Sequence, residues 1–307
     1  MLQANISRAF ALALTGCACL AASLLMPAKS QAAAPLDTSR IASIGGDVTE
    51  ILYALGFEPN IVAVDSTSVF PKQALQDKKS LGYMRALSTE GVLSVSPTLI
   101  IATEKAGPPE VIAALKESSV RYETIASPDS AEGIDVRVRA VANLLGVPGR
   151  GEETIQKVHS QLDALRQQRA AVKRPTRVLF LLSLQGGRAI AAGSGTAAHE
   201  VIALAGGANI ASDLTGYKPL SDEAALALQP DVILIMDRNQ QADGPKDSIE
   251  AQMAAFRGLS STPAARDKRI YEVDGAALLQ FGPRTAEAML SLLKLLHPEI
   301  EAAKSGN

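Results

Sequence analysis

One pattern occurs twice in this chain, once in each half. L-S-x-E-x-x-L-x-x-x-P-x-x-I runs over 87–100 and again over 220–233. Each copy reads as a serine N-cap, a short helix with an acid in its first turn, a proline ending the helical stretch, and a buried strand. A unit repeated once per half is too sparse for a solenoid, so it implies two related lobes rather than an array. A Gly-Tyr pair precedes each copy, Gly82-Tyr83 in the first and Gly216-Tyr217 in the second.

The segments around the repeat alternate in period. Strand-like apolar runs at 40–44, 61–64, 98–102 and 122–125 are separated by helical patterns at 48–55 and 109–117, and a helix near 135–145 closes the first half. Such alternation predicts parallel α/β sheet. Beyond Gly146-Val147-Pro148-Gly149, Ile155, Val158, Leu162 and Leu165 recur at steps of three and four in a segment that opens with acids and closes with bases. This predicts one helix of about 23 residues, about 35 Å long, enough to bridge two lobes. The second half offers strands at 177–182, 231–236 and 269–273, a Gly186-Gly187 turn, a helix at 196–205 stopped by Gly206-Gly207, and a last helix at 283–296. The expected fold class is α/β: two similar lobes with parallel-type sheets, 36–148 and 175–307, joined by a single long backbone helix at 149–174. Loops at strand ends of such sheets border the ligand crevice, which places a tyrosine from each lobe at one cleft.

Residues 1–32 read as a cleaved export signal, with Arg8, an apolar run at 9–26 and the small-x-small site Ser30-Gln31-Ala32. Both cysteines, Cys17 and Cys19, lie inside it, so disulfides, thiolate metal sites and cysteine nucleophiles drop out of the mature chain. Leu14-Thr15-Gly16-Cys17 also resembles a lipobox, and acylation of Cys17 is the alternative to a soluble product. With 30 basic against 32 acidic residues, nothing points to a nucleic-acid partner.

Tyr83 with Arg85 is the sharpest candidate site. An arbitrary Tyr-x-Arg is usually surface decoration. A cation beside a phenol, however, favours phenolate, a hard anionic oxygen donor suited to ferric iron, and tyrosine is among the axial ligands of haem. Tyr217 is either a turn residue before Pro219 or a ring stacking on a planar anionic ligand, with Lys218 pairing to a carboxylate. Arg188, after the Gly-Gly turn, is a second candidate carboxylate partner. Glu90 and Glu223 are either acids stabilised by helix dipoles or one docking carboxylate per lobe for a two-fold partner carrying arginines. His159 and His297 are expected at the surface, and His199 near the cleft. The chain carries no HExxH, P-loop, GxGxxG or serine-histidine-acid order, and a carrier rather than an enzyme is expected.

At Ile44-Gly45-Gly46-Asp47-Val48-Thr49-Glu50-Ile51, Asp65-Ser66-Thr67-Ser68, Gly82-Tyr83-Met84-Arg85 and Tyr217-x-Pro219-Leu220-Ser221, the chain resembles the haem-specific periplasmic binding proteins of bacterial ABC importers. The resemblance spans nearly the whole mature chain. It implies periplasmic capture of ferric haem (haem b, hemin) by a monomer and delivery to an inner-membrane ABC permease dimer with its ATPase, downstream of an outer-membrane haem receptor. By it Tyr83 is the iron ligand, Arg85 its hydrogen-bonding partner, and Glu90 and Glu223 the permease-docking acids. Relatives that stack two haems use a histidine just before the second-lobe Gly-Gly turn; Ser183-Leu184-Gln185-Gly186-Gly187 has none, so one haem is expected. The rival readings are a ferric-siderophore or cobalamin carrier on the same scaffold, a tetrapyrrole chelatase, and a sensor domain.

Overall fold

The computed structural model describes residues 36–237 and 249–300. The export signal, with Cys17, Cys19 and the lipobox-like stretch, lies outside them. The first lobe runs β1 (Ile41–Ile44), α1 (Gly46–Ala54), β2 (Ile61–Val64), α2 (Gln73–Asp77), β3 (Lys79–Ser80), α3 (Thr89–Leu93), β4 (Leu99–Thr103), α4 (Pro109–Glu117), β5 (Arg121–Ile125) and α5 (Ala131–Leu144). Its strands form a parallel sheet in the order β3-β2-β1-β4-β5. The central strands β1 and β4 are buried at every residue, as a parallel sheet covered on both faces requires.

Helix α6 (Pro148–Arg169) follows with 22 residues, about 33 Å at 1.5 Å per residue. Pro148 sits in its first turn, where a missing N–H costs nothing, and Ile155, Val158, Leu162 and Leu165 form its buried stripe. It packs against α5 of the first lobe and α13 (Thr285–Leu296) of the second.

The second lobe runs β6 (Thr176–Gln185), β7 (Arg188–Ala192), α7 (Ala197–Leu204), β8 (Gly207–Asn209), β9 (Tyr217–Leu220), α8 (Asp222–Leu228) and β10 (Val232–Asp237). It continues through α9 (Ile249–Ala255), α10 (Arg257–Ser260), α11 (Pro263–Arg266), β11 (Ile270–Asp274) and α12 (Gly275–Leu279) to α13. Sheet order is β11-β10-β6-β7-β9, with β8 pairing the start of β6. Strands β8, β10 and β11 add in parallel, but β7 and β9 pair antiparallel, so this sheet is mixed. The source is the Gly186-Gly187 turn: φ of 55° and 70° at its two residues lets it close a tight hairpin between Gln185 and Arg188. Tyr217 accordingly starts an edge strand, not the expected loop, and an edge tolerates Pro219.

The internal repeat is structural. Ser88 and Ser221 cap α3 and α8, accepting from the Gly91 and Ala224 amides. Both units end on a left-handed residue before proline, Ser96 at φ 49° and Gln229 at φ 43°. A matching arginine, not evident in the sequence reading, holds each end. Arg40 donates to the carbonyls of Ser96 and Val95 at 2.7 and 2.6 Å, and Arg177 to those of Gln229 and Leu228 at 3.4 and 2.7 Å. Gly82 and Gly216 also share left-handed φ values, 80° and 73°.

His159 lies where expected, exposed and 2.8 Å from Asp135. His297 does not. As C-cap of α13 it is 2% exposed, with Nε2 3.0 Å from the Gly206 carbonyl, because the end of α7 packs over it.

A polar network joins the lobes beneath the sheet ends. Glu50 of α1 accepts from the Arg284 amide at 2.7 Å and its Nε at 3.0 Å, and Arg284 also reaches Asp274 at 3.0 Å. Gln280 donates to the Thr67 carbonyl at 3.1 Å. Fully buried Arg137 of α5 pairs with Asp47 at 3.1 Å and reaches across to the Phe281 carbonyl at 3.3 Å. Removing one partner of a buried pair strands the other charge in low dielectric. Asp47→Ala should therefore cost about 3–5 kcal/mol of unfolding free energy. Urea unfolding of the mature chain measures this, and a loss within about 1 kcal/mol would mean that water solvates Arg137.

Candidate functional site

The two sheets point their carboxyl ends at each other across a cleft of about 590 Å³. All five first-lobe strands deliver a wall segment from the loop beyond that end: Gly46-Asp47 after β1, Ser66-Thr67 after β2, Tyr83-Met84-Arg85 after β3, Lys105 after β4 and Asp129 after β5. The second lobe supplies Leu182, Gly195-Thr196-Ala197 at the start of α7, Tyr217, Met236-Asp237, and Asp274 with Gly275, Ala276, Leu279 and Gln280. This is the crevice that α/β topology favours for ligands.

Local geometry explains the Gly-Gly-Asp of the first wall. A Cβ on Gly46 would lie 2.3 Å from the Thr67 carbonyl oxygen, and Gly45 sits at φ 110° as the N-cap of α1. Asp65 folds the next loop over this corner, accepting from the Gly45 amide at 2.7 Å, the Thr67 amide at 2.8 Å and the Thr67 hydroxyl at 2.7 Å. Burial pushes the Asp65 carboxyl up, and these bonds oppose the shift. Burial likewise pushes Asp47 and Glu50 up and Arg137 down, against the attraction of their partners.

Tyr83 and Tyr217 do face one cleft, one from each lobe. Both rings are open to solvent, at 47% and 38% exposure. Arg85 lies beside Tyr83 in the wall and has no acidic partner within ion-pair distance among the described residues. Tyr217 is electrically in reach of the opposite lobe. Burial first, and then the charge of Asp129, push its phenol up, while Arg85 and a hydrogen bond from the Ala198 backbone pull it down.

Lys218 does not join the site. It follows Tyr217 along β9, and neighbours on a strand project to opposite faces, so Tyr217 lines the cleft and Lys218 does not. Arg188 is exposed on the hairpin away from the wall. His199 also stays out of the wall, with Nδ1 3.3 Å from the Asn209 amide nitrogen. Glu90 and Glu223 sit in the first turns of α3 and α8, both exposed. Lys105 and Asp129 escaped the sequence reading, and their one signal was position just beyond a predicted strand.

The model of the periplasmic binding protein family matches residues 41–277. This chain belongs to that family, the substrate-binding components of ABC importers. Among solved structures it is similar to the periplasmic haem-binding protein RhuT from Roseiflexus sp. RS-1, at 37% identity and TM-score 0.79, covering 85% of this chain and 99% of that one. It is also similar to the periplasmic haem-binding protein HutB of Vibrio cholerae, at 33% identity and TM-score 0.74, covering 85% and 100%. A vitamin B12-binding protein of Vibrio cholerae is 30% identical over 216 residues, 70% of this chain and 76% of that protein.

The raised Tyr217 phenol makes a direct prediction. The folded chain holds this proton above the ordinary phenol value of 10.0, so the stability it contributes is present below that pH and is lost as pH climbs through the raised value. Ultraviolet titration of Tyr217→Phe should lose a late-ionising tyrosine. Loss of one ionising at or below the ordinary value would contradict the geometry.

Proposed function

We propose that this chain captures ferric haem in the cleft and hands it to an inner-membrane ABC permease, a carrier and not an enzyme. The observation that carries this reading is Tyr83, an open phenol in the cleft wall beside Arg85, a guanidinium with no acidic partner among the described residues. On this reading Tyr83 binds the iron as phenolate. Arg85 hydrogen-bonds to it and offsets its charge, and Tyr217 walls the ligand from the opposite lobe as a neutral phenol. The likeness to two haem-binding proteins at 37% and 33% identity supports haem as the cargo. The cleft volume suits one small ligand, and without a histidine before Gly186-Gly187 the proposal is one haem per chain.

The rest of the transport route follows. The carrier is proposed to act as a monomer. Glu90 and Glu223, on repeat-related helices, present one carboxylate per lobe to the permease dimer. Residues 1–32 direct export to the periplasm, with acylation at Cys17 as the alternative. The 30% identical vitamin B12-binding relative favours a second reading, a corrinoid carrier.

Purified mature chain mixed with haemin should give a protein-bound Soret band that cyanocobalamin does not displace. Tyr83→Phe should abolish the phenolate-to-iron band and weaken binding about a hundredfold. An unchanged spectrum in that variant removes Tyr83 from the iron, and displacement by cyanocobalamin moves the reading to a corrinoid. Glu90→Arg combined with Glu223→Arg should leave haemin affinity within about twofold of wild type yet stop permease-dependent uptake into proteoliposomes. Undiminished uptake would dismiss these acids as docking points.

A further inference from the structure

Lys105 stands in the cleft wall apart from the pair assigned to the iron. Its Nζ pairs with Asp129 Oδ1, and both side chains are about one-third exposed, at 33% and 34%. The same Asp129 oxygen lies 3.8 Å from Nη2 of fully buried Arg137. That is too long for a hydrogen bond, and Nη2 has no hydrogen-bond partner among the described residues. One carboxylate is thus held by an outward-facing ammonium while an under-satisfied guanidinium waits behind it.

The charges around the cleft define what Lys105 can do. Asp47 is paired to Arg137, and Asp274 to Arg284. Arg85 is assigned to the iron ligand. A ligand carboxylate entering this acid-rich wall meets repulsion unless a cation receives it, and Lys105 is the cation whose present partner has somewhere else to go.

We infer that Lys105 is the receptor for a carboxylate of the ligand, and that Asp129 is a resident stand-in which the ligand displaces toward Arg137. The assignment rests on the haem reading, since haem carries two propionates. It also bears on specificity, because a corrinoid bearing neutral amides in place of carboxylates gains a weaker bond from Lys105 than an ionised carboxylate does. The exchange conserves charge pairing: Lys105 trades one carboxylate for another, and Arg137 fills its open Nη2 position.

The test compares haemin with its dimethyl ester, which keeps iron and ring but lacks the acids. Lys105→Gln should weaken haemin binding about tenfold and leave the ester unchanged. Asp129→Asn should tighten haemin several-fold by removing the competitor, again with no effect on the ester. Thermal melting of the unliganded variants reports their folding separately. Unchanged haemin affinity in Lys105→Gln, or equal weakening for haemin and ester, would overturn the assignment. Wild-type chain that binds neither compound would overturn the haem reading itself, and this assignment with it.

Discussion

The contact on which this architecture depends is the buried charge network under the cleft. Asp47 and Glu50, one turn apart on α1, take opposite routes: Asp47 to Arg137 within the first lobe, and Glu50 to Arg284 of the second. Arg137 and Gln280 add hydrogen bonds across the same seam. Burying these ions carries a large desolvation cost, so the network is costly to open at any single partner. It complements α6, which braces both lobes from the outside through α5 and α13.

The lobes are alike on the outside and unlike at the cleft. Outside, serine caps, left-handed residues before proline and paired arginine clamps reproduce one unit twice. Inside, the second lobe departs through its Gly186-Gly187 hairpin, which inserts β7 and carries β9 to the sheet edge. Tyr83 therefore sits in a turn next to Arg85, whereas Tyr217 sits on a strand, with the start of α7 on its own side and Asp129 across the cleft. Equivalent residue types at equivalent points of the repeat thus meet different surroundings.

Much of this was legible in the chain itself because the signals were local. The apolar stripe Ile155, Val158, Leu162, Leu165 defined α6, and the continuous apolar runs defined β1 and β4. The repeat defined two lobes, and Tyr83 with Arg85 named the candidate donor. What escaped depended on distant partners. His297 reads as a polar residue before a proline, and only the packing of α7 against it makes it buried. Lys218 reads as a cation beside the cleft tyrosine, and only strand pairing turns it away.

The sequence alone therefore determined the α/β class, the two related lobes, the bridging helix and the tyrosine-arginine pair, since periodicity, capping and turn chemistry act within a few residues. Tertiary structure alone decided which charges meet in the cleft wall and in the seam beneath it. Lys105, Asp129, Arg137 and Asp47 come from four separate segments, and no local pattern records that parallel strands bring their ends to one place. Charge pairing is a matter of distance in space, and in this fold that distance is set by sheet order.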